Sequence, residues 1–165
     1  MKNLPKLIDA ICEAFSDGLQ GQRWAPMVGA DGRIYTYCNE ATNYICKAMG
    51  FDGFDKPKTA SPDDAFFANE MYDAMDKSQE EWKRVIATEA QDLANQGSLV
   101  IAAWRNPIGG PGHVAVVRPG VLDYSNSWKS YAPKIMNIGR ENFIHKKASF
   151  AFREIPHFYV WKESL

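Results

Sequence analysis

Apolar residues along this chain follow two different periods. In the first hundred positions they recur every three to four residues, and beyond that they run in short continuous or alternating blocks. In "MKNLPKLIDAICEAF" Ile8, Ile11 and Phe15 share one face, Asn3 stands as a cap, Pro5 lies in the first turn and Gly18 stops the run, which predicts a helix over 4–17 that carries Cys12 as a structural residue. A polar loop through Gly32 leads to "RIYTY", whose alternation suits a short strand. From Cys38 the positions Ala41, Tyr44, Ile45, Ala48 and Met49 follow helical spacing and Gly50 closes the helix. Cys38 shares that inward stripe, whereas Cys46 is expected to point elsewhere.

Two more helices follow. "SPDDAFFANEMYDAM" is expected to start at a Ser61 cap, with Pro62 in the first turn and Asp63 and Asp64 facing the positive helix end. "TEAQDLANQG" has capping-box spacing between Thr88 and Gln91 and ends at Gly97. The pattern then turns to strands: "SLVIAAWR", the turn "NPIGGPG", "HVAVVRP", "PKIMNI" near 133–138, and "FYVWK" at the end. Helices first and an antiparallel meander second make an α+β fold.

With 165 residues, 45% of them hydrophobic, the chain fits one domain over 1–165, formed by the helix 4–17 and a core of about 34–162. A net charge of -1 and a pI near 6.3 remove the electrostatic basis for nucleic-acid binding, and the basic run 140–147 reads as a solvated loop. The cysteines at 12, 38 and 46 cannot all pair, and none has metal-ligand spacing, so neither a metal nor a cofactor is expected. Asp9 and Glu13 interrupt what would have to be an apolar signal core, and no run reaches membrane-spanning length. The expectation is a chain made in the cytoplasm without a classical signal peptide, exported by a non-classical route or released by lysis, and not inserted in a membrane.

The chemistry begins at Cys38. A helix start lowers a thiol's pKa through its unpaired N–H groups and partial positive charge, and a nucleophilic thiol needs a base nearby. Three histidines compete. His145 lies in the basic run and His157 in a turn before the last strand, both expected to face solvent. His113 opens a strand directly after Gly-Gly-Pro-Gly, where glycines permit close approach, and alternates with Ala115 and Val117. A third polar group should orient the imidazole. Asn126, in "SNSWKS", and Asn137, in "PKIMNIG", are the two candidates. If 113–118 and 133–138 form a hairpin, Asn137 returns to the His113 end and Asn126 stays roughly 17 Å away, which favours Asn137.

"YCNEATNYI", the stretch running from "ANEMYDAM" through "GGPGHVAVVRPG", and "PKIMNIGRENF" together resemble the NlpC-type, CHAP-related, permuted papain-like amidases of bacterial and phage cell-wall enzymes, over most of residues 34–161. The most specific pieces are Cys38-Asn39 and the "GHVAVVRPG" run around His113. The resemblance implies a papain-like fold with N-terminal helices on an antiparallel sheet. It implies Cys38 as nucleophile, His113 as base and then acid, and Asn137 as the orienting residue. The Cys38 N–H would be one oxyanion donor, with a second from the hydroxyl of Tyr35 or Tyr37. Trp104 is the candidate for a substrate groove, whereas Trp24 and Trp128, like Trp104 itself, read more readily as core or rim packing. The Asp-Cys-Ser-Gly signature of the best-known branch is absent, which places the chain in a divergent branch and leaves the cleaved bond open. The activity implied is hydrolysis of amide bonds in peptidoglycan stem peptides, as in a phage lysin or a secreted antibacterial effector, with an immunity protein or a secretion machinery as partner. The alternatives are a papain-like acyltransferase or deamidase on another amide, and a non-catalytic domain that binds wall fragments or a partner.

Overall fold

The computed structural model describes Lys6, Asp9, Ala10, Glu13 and residues 24–56 and 65–165. It is an α+β protein. Strands β3 (Trp82–Val85), β4 (Val100–Trp104), β5 (His113–Val117), β8 (Lys134–Asn137), β9 (Phe143–Lys147) and β10 (His157–Trp161) form a six-stranded sheet in the order β3-β10-β4-β5-β8-β9. All neighbours in it run antiparallel. Two small ribbons, β1 (Met27–Val28) with β2 (Ile34–Tyr35) and β6 (Asp123–Ser125) with β7 (Ser130–Ala132), stand outside it.

The near-continuous apolar character of β4 and β5 comes from cover on both faces. Ile101, Ala103, Val114 and Val116 pack with α1 (Cys38–Ala48) and α2 (Ala68–Lys77). Val100, Ala102, Ala115 and Val117 pack with α3 (Ala87–Gln96) on the other face. A strand with one wet face would show strict alternation; here both sets must be apolar. The sheet is not the simple meander that chain order suggests. The last strand, β10, inserts between β3 and β4, and the β6–β7 ribbon separates β5 from β8, which pair as neighbours without being joined by a tight hairpin.

Several local readings change. The basic run 140–147 is not a loop: it holds β9, the sheet edge beside β8, where Lys146 and Lys147 discourage further strand pairing. In α1, Tyr44 and Ala48 turn outward while Thr42, Asn43 and Cys46 are buried. The reason is that α1 is covered on two sides. Besides the sheet, its cluster includes the aromatic group Phe51, Phe54 and Trp82, with Phe51 set edge-on to Trp82 at 5.0 Å. Cys46 is therefore wholly buried, which pushes its thiol pKa far up. Helix α2 begins at Ala68, where the Phe67 N–H donates to Glu70 Oε2 at 2.7 Å; the expected Ser61 cap, with Pro62, Asp63 and Asp64, lies outside the described residues.

Of the expected helix 4–17, Lys6, Asp9, Ala10 and Glu13 are described and helical; the rest, Cys12 included, lies outside the described residues. The carboxylates of Asp9 and Glu13 accept from Arg118 Nη2 at 2.7 and 2.9 Å, so the two acids hold a buried guanidinium at the end of β5. The capping box over Thr88 and Gln91 does not form, because Ile86 takes the cap position and Gln91 sits a turn inside α3. Gln91 is buried and ties the helix to the sheet: Nε2 donates to the Arg118 carbonyl at 2.9 Å and Oε1 accepts from the Lys134 N–H at 2.7 Å. Replacing it with an apolar residue leaves two backbone groups without partners, each costing about 1–3 kcal/mol. Gln91→Leu is expected to lower unfolding free energy by about 3 kcal/mol in urea titration with an unchanged m value. A loss below about 1 kcal/mol would show that this tether adds no more than an exposed cap would.

Candidate functional site

Cys38 is the first residue of α1, which starts without a capping side chain. Forgoing a cap costs a helix about 1 kcal/mol and leaves the first-turn amides open to another acceptor. The buried Cys38 thiol responds first to desolvation and then to the backbone N–H groups of Val114 from β5, of Asn39 and of Cys38 itself. All three favour the thiolate. Burial acts the other way and prevails, so the thiol pKa is raised on balance. Asn39 anchors the same turn, its Nδ2 donating to the Phe66 carbonyl at 3.1 Å.

His113 opens β5 opposite Trp104 of β4. Its Nε2 lies 2.6 Å from Asn137 Oδ1, and the amide is held from its other end, Nδ2 donating to the Glu141 carbonyl at 2.8 Å. This second bond settles the amide's orientation. With Nδ2 committed as donor, Oδ1 faces the imidazole, so Nε2 carries the proton and the neutral ring keeps its lone pair on Nδ1. The register of β5 with β8, Val116 with Met136 and Val117 with Ile135, places Asn137 on the same face as His113, and the β8–β9 pairing shifts between Ile135 and Asn137, a bulge of the kind that re-aims a side chain. Gly139 closes over both groups. A Cβ there would lie 3.1 Å from His113 Cε1 and 3.3 Å from Asn137 Nδ2, tighter than ordinary packing. On its other side the ring packs against Phe152, with centroids 4.8 Å apart. Burial lowers the His113 pKa, and the Asn137 bond opposes this in part.

The two groups reach the end of the sheet from opposite faces. Cys38 packs with Val114 and Val116, and His113 lies with Ala115, Val117 and Phe152. Val114 links them: its N–H acts on the Cys38 thiol in favour of the thiolate, and its chain neighbour is His113. Among the described residues the thiol and the imidazole share no hydrogen bond. The raised thiol and lowered imidazole pKa values make a neutral pair the resting form.

The remaining sequence candidates divide. Asn126 is exposed in the β6–β7 turn, away from the imidazole that Asn137 holds. Tyr35 does not turn to Cys38: its hydroxyl donates to Asp31 Oδ2 at 2.9 Å and its ring covers Gly29 within the β1–β2 ribbon. Tyr37 stays beside Cys38, half-buried, with its ring edge-on to Trp24 at 6.1 Å. Trp104 is the cross-strand neighbour of His113 and its Nε1 donates to Glu154 Oε2 at 3.4 Å. Trp24 and Trp128 are core residues, and Trp128 Nε1 donates to the Phe152 carbonyl at 3.0 Å, fixing the backbone behind the imidazole. Nor is His157 solvent-facing in a turn. It opens β10, half-buried, with Nδ1 2.5 Å from the Tyr72 hydroxyl. His145 is exposed, but on β9. The glycines before His113 serve the chain's own packing: a Cβ on Gly112 would lie 2.3 Å from Asn69 Oδ1 and 2.7 Å from the Trp104 carbonyl.

Sequence reasoning did not single out Gly139, Phe152 or the Val114 N–H. "NIGREN", a Gly- and Asn-containing turn between two strands, was the available signal for the first of these. No group of His, Cys, Asp or Glu among the described residues has the arrangement of a metal site. No protein-family model matches the chain, and no curated protein matches it in sequence.

Two measurements test this geometry. In ¹⁵N-histidine NMR near pH 8, His113 is expected as the neutral tautomer with its proton on Nε2; a proton on Nδ1 would contradict the Asn137 orientation. In His113→Ala, alkylation of Cys38 by iodoacetamide should rise only above pH 9, because burial holds the thiol above its ordinary value of 9.0 and thiolate accumulates only as pH passes the raised value. An inflection in that variant well below 9 would mean that the three amides outweigh burial.

Proposed function

We propose that this chain is a cysteine amidase or endopeptidase of papain-like type that hydrolyses amide bonds in peptidoglycan stem peptides. The observation that carries the reading is the pairing of an uncapped helix start, with Cys38 at its tip, and a neighbouring His113 whose Nε2 is tied to Asn137 so that the Nδ1 lone pair is the basic position. The class of substrate rests on the resemblance of Cys38-Asn39 and of "GHVAVVRPG" to NlpC-type and CHAP-related wall amidases.

In this reading His113 Nδ1 takes the thiol proton as the Cys38 sulfur bonds to the amide carbon. The charge that develops on the carbonyl oxygen falls at the start of α1, where the Cys38 N–H is the nearest donor. As the tetrahedral species collapses, the C–N bond breaks and the imidazolium gives its proton to the leaving amine. Water then attacks the thioester, His113 accepts its proton, and the sulfur leaves with a proton returned from the imidazole. Asn137 holds the ring through both steps. A neutral resting pair suits this sequence, since the base needs an open lone pair before substrate arrives and the lowered imidazole pKa keeps it open below the usual histidine range.

One observation favours a second reading. The thiol is buried and shares no hydrogen bond with the imidazole, as in a non-catalytic domain that binds wall fragments through the same surface. Purified protein incubated with peptidoglycan, followed by mass spectrometry of newly freed amino and carboxyl termini, separates the two. The expected result is one new amine–carboxyl pair, abolished in Cys38→Ala and slowed about 10²–10⁴-fold in His113→Ala. Binding without cleavage supports the second reading, and cleavage undiminished in Cys38→Ala sinks the first.

A further inference from the structure

The turn between β8 and β9 does more than hold Asn137. The Asn142 side chain uses both ends of its amide: Oδ1 accepts from the Gly139 N–H at 2.9 Å, and Nδ2 donates to the Trp24 carbonyl at 2.9 Å. These bonds join two parts of the chain that the sheet does not connect. Gly139 is the residue whose backbone closes over the His113 ring and the Asn137 amide. Trp24 is buried against Tyr37, and Tyr37 is the cap residue from which α1 and Cys38 begin. The turn is bound internally as well, through Asn137 Nδ2 to the Glu141 carbonyl.

We propose that Asn142 is a positioning residue that sets the imidazole of His113 relative to the thiol of Cys38, by clasping the His113 side of the site to the segment that enters α1. The inference rests on the cysteine-hydrolase reading for its purpose, but not on the identity of the substrate. The thiol and the imidazole come to the sheet end from opposite faces, so the backbone of β5 alone fixes only one of them. The clasp supplies the missing constraint. Its residue type follows from the geometry: one short planar group must accept from one backbone and donate to another at the same time. Aspartate keeps the acceptor and loses the donor, and alanine loses both.

Because the effect is on thiol–imidazole coupling, the test reads that coupling directly. Iodoacetamide alkylation of Cys38 is followed against pH in the full chain, in Asn142→Ala, in Asn142→Asp, in His113→Ala, and in the double variant Asn142→Ala with His113→Ala, each checked for folding by circular dichroism. The contribution of His113 is the part of the rate below pH 9 that His113→Ala removes. Asn142→Ala and Asn142→Asp are each expected to reduce that part at least tenfold, and the double variant to react no more slowly than His113→Ala alone. Hydrolysis, where it is observed, should lose kcat by tenfold or more with KM changed less than twofold. Rates in the two Asn142 variants equal to that of the full chain, or an additive loss in the double variant, overturn the proposal. Should Asn142→Ala fail to fold, the isosteric Asn142→Asp decides the matter alone. A chain that alkylates as expected but cleaves no peptidoglycan would fail the substrate assignment and leave the clasp standing.

Discussion

Everything at the candidate site depends on the place where β5 and β8 part. Their ladder is made at Val116 with Met136 and Val117 with Ile135; nearer the start of β5 lies Val114, whose N–H favours the Cys38 thiolate against the larger effect of burial. An antiparallel sheet satisfies its backbone groups by pairing, so a strand end that separates from its neighbour must find other partners or face water. The same separation makes room for Asn137 to reach His113 diagonally, and for the turn after β8 to fold back so that Gly139 lies over the ring. One local departure from regular pairing thus brings His113 and Asn137, 24 residues apart, within hydrogen-bond distance beside the strand that packs on Cys38.

The electrostatics of this arrangement favour an uncharged ground state. Burial in the core of α1, α2 and the sheet disfavours the thiolate more than the backbone amides of Val114, Asn39 and Cys38 favour it. The imidazole is also pushed toward its neutral form by burial. In a low-dielectric site the two charges would stabilise each other if formed together, but separated by the β5 backbone they have no hydrogen bond through which to do so at rest. Under the proposed hydrolase reading, proton transfer would be coupled to the arrival of an electrophile at the sulfur, and the same amides would act on the charge that develops during attack, where fixed dipoles contribute most.

Much of this was legible in the sequence, for identifiable reasons. Cys38 at a helix start and His113 at a strand start follow from short-range periodicity and from glycines that stop or open elements. Asn137 over Asn126 followed from strand geometry, even though the connection between β5 and β8 is a ribbon and not a direct hairpin. What escaped was set by distant packing. Cys46 looked outward because helical periodicity counts one buried face, whereas the Phe51–Phe54–Trp82 group covers a second. Gln91 has the spacing of a cap but is spent on the Arg118 carbonyl and the Lys134 N–H, partners that only the sheet brings near. β9 read as a charged loop because an edge strand uses lysine where an interior strand uses valine. The placement of β10 between β3 and β4 leaves no local trace at all, since pairing order is decided by which apolar faces must be covered.

Local rules are broken most often around this site, and the breaks share a direction. Helix α1 forgoes a capping side chain, and Gly112 and Gly139 give up side chains so that backbone and polar groups can approach closely. The missing cap costs helix stability that a capping side chain would recover, and the two glycines cost backbone entropy on folding. The surrounding structure offsets the loss with a sheet covered on both faces, a buried Arg118 held by Asp9 and Glu13, and a glutamine that ties α3 to two strands. The costs gather at one end of the sheet while the compensations lie away from it, the pattern that the proposed function calls for.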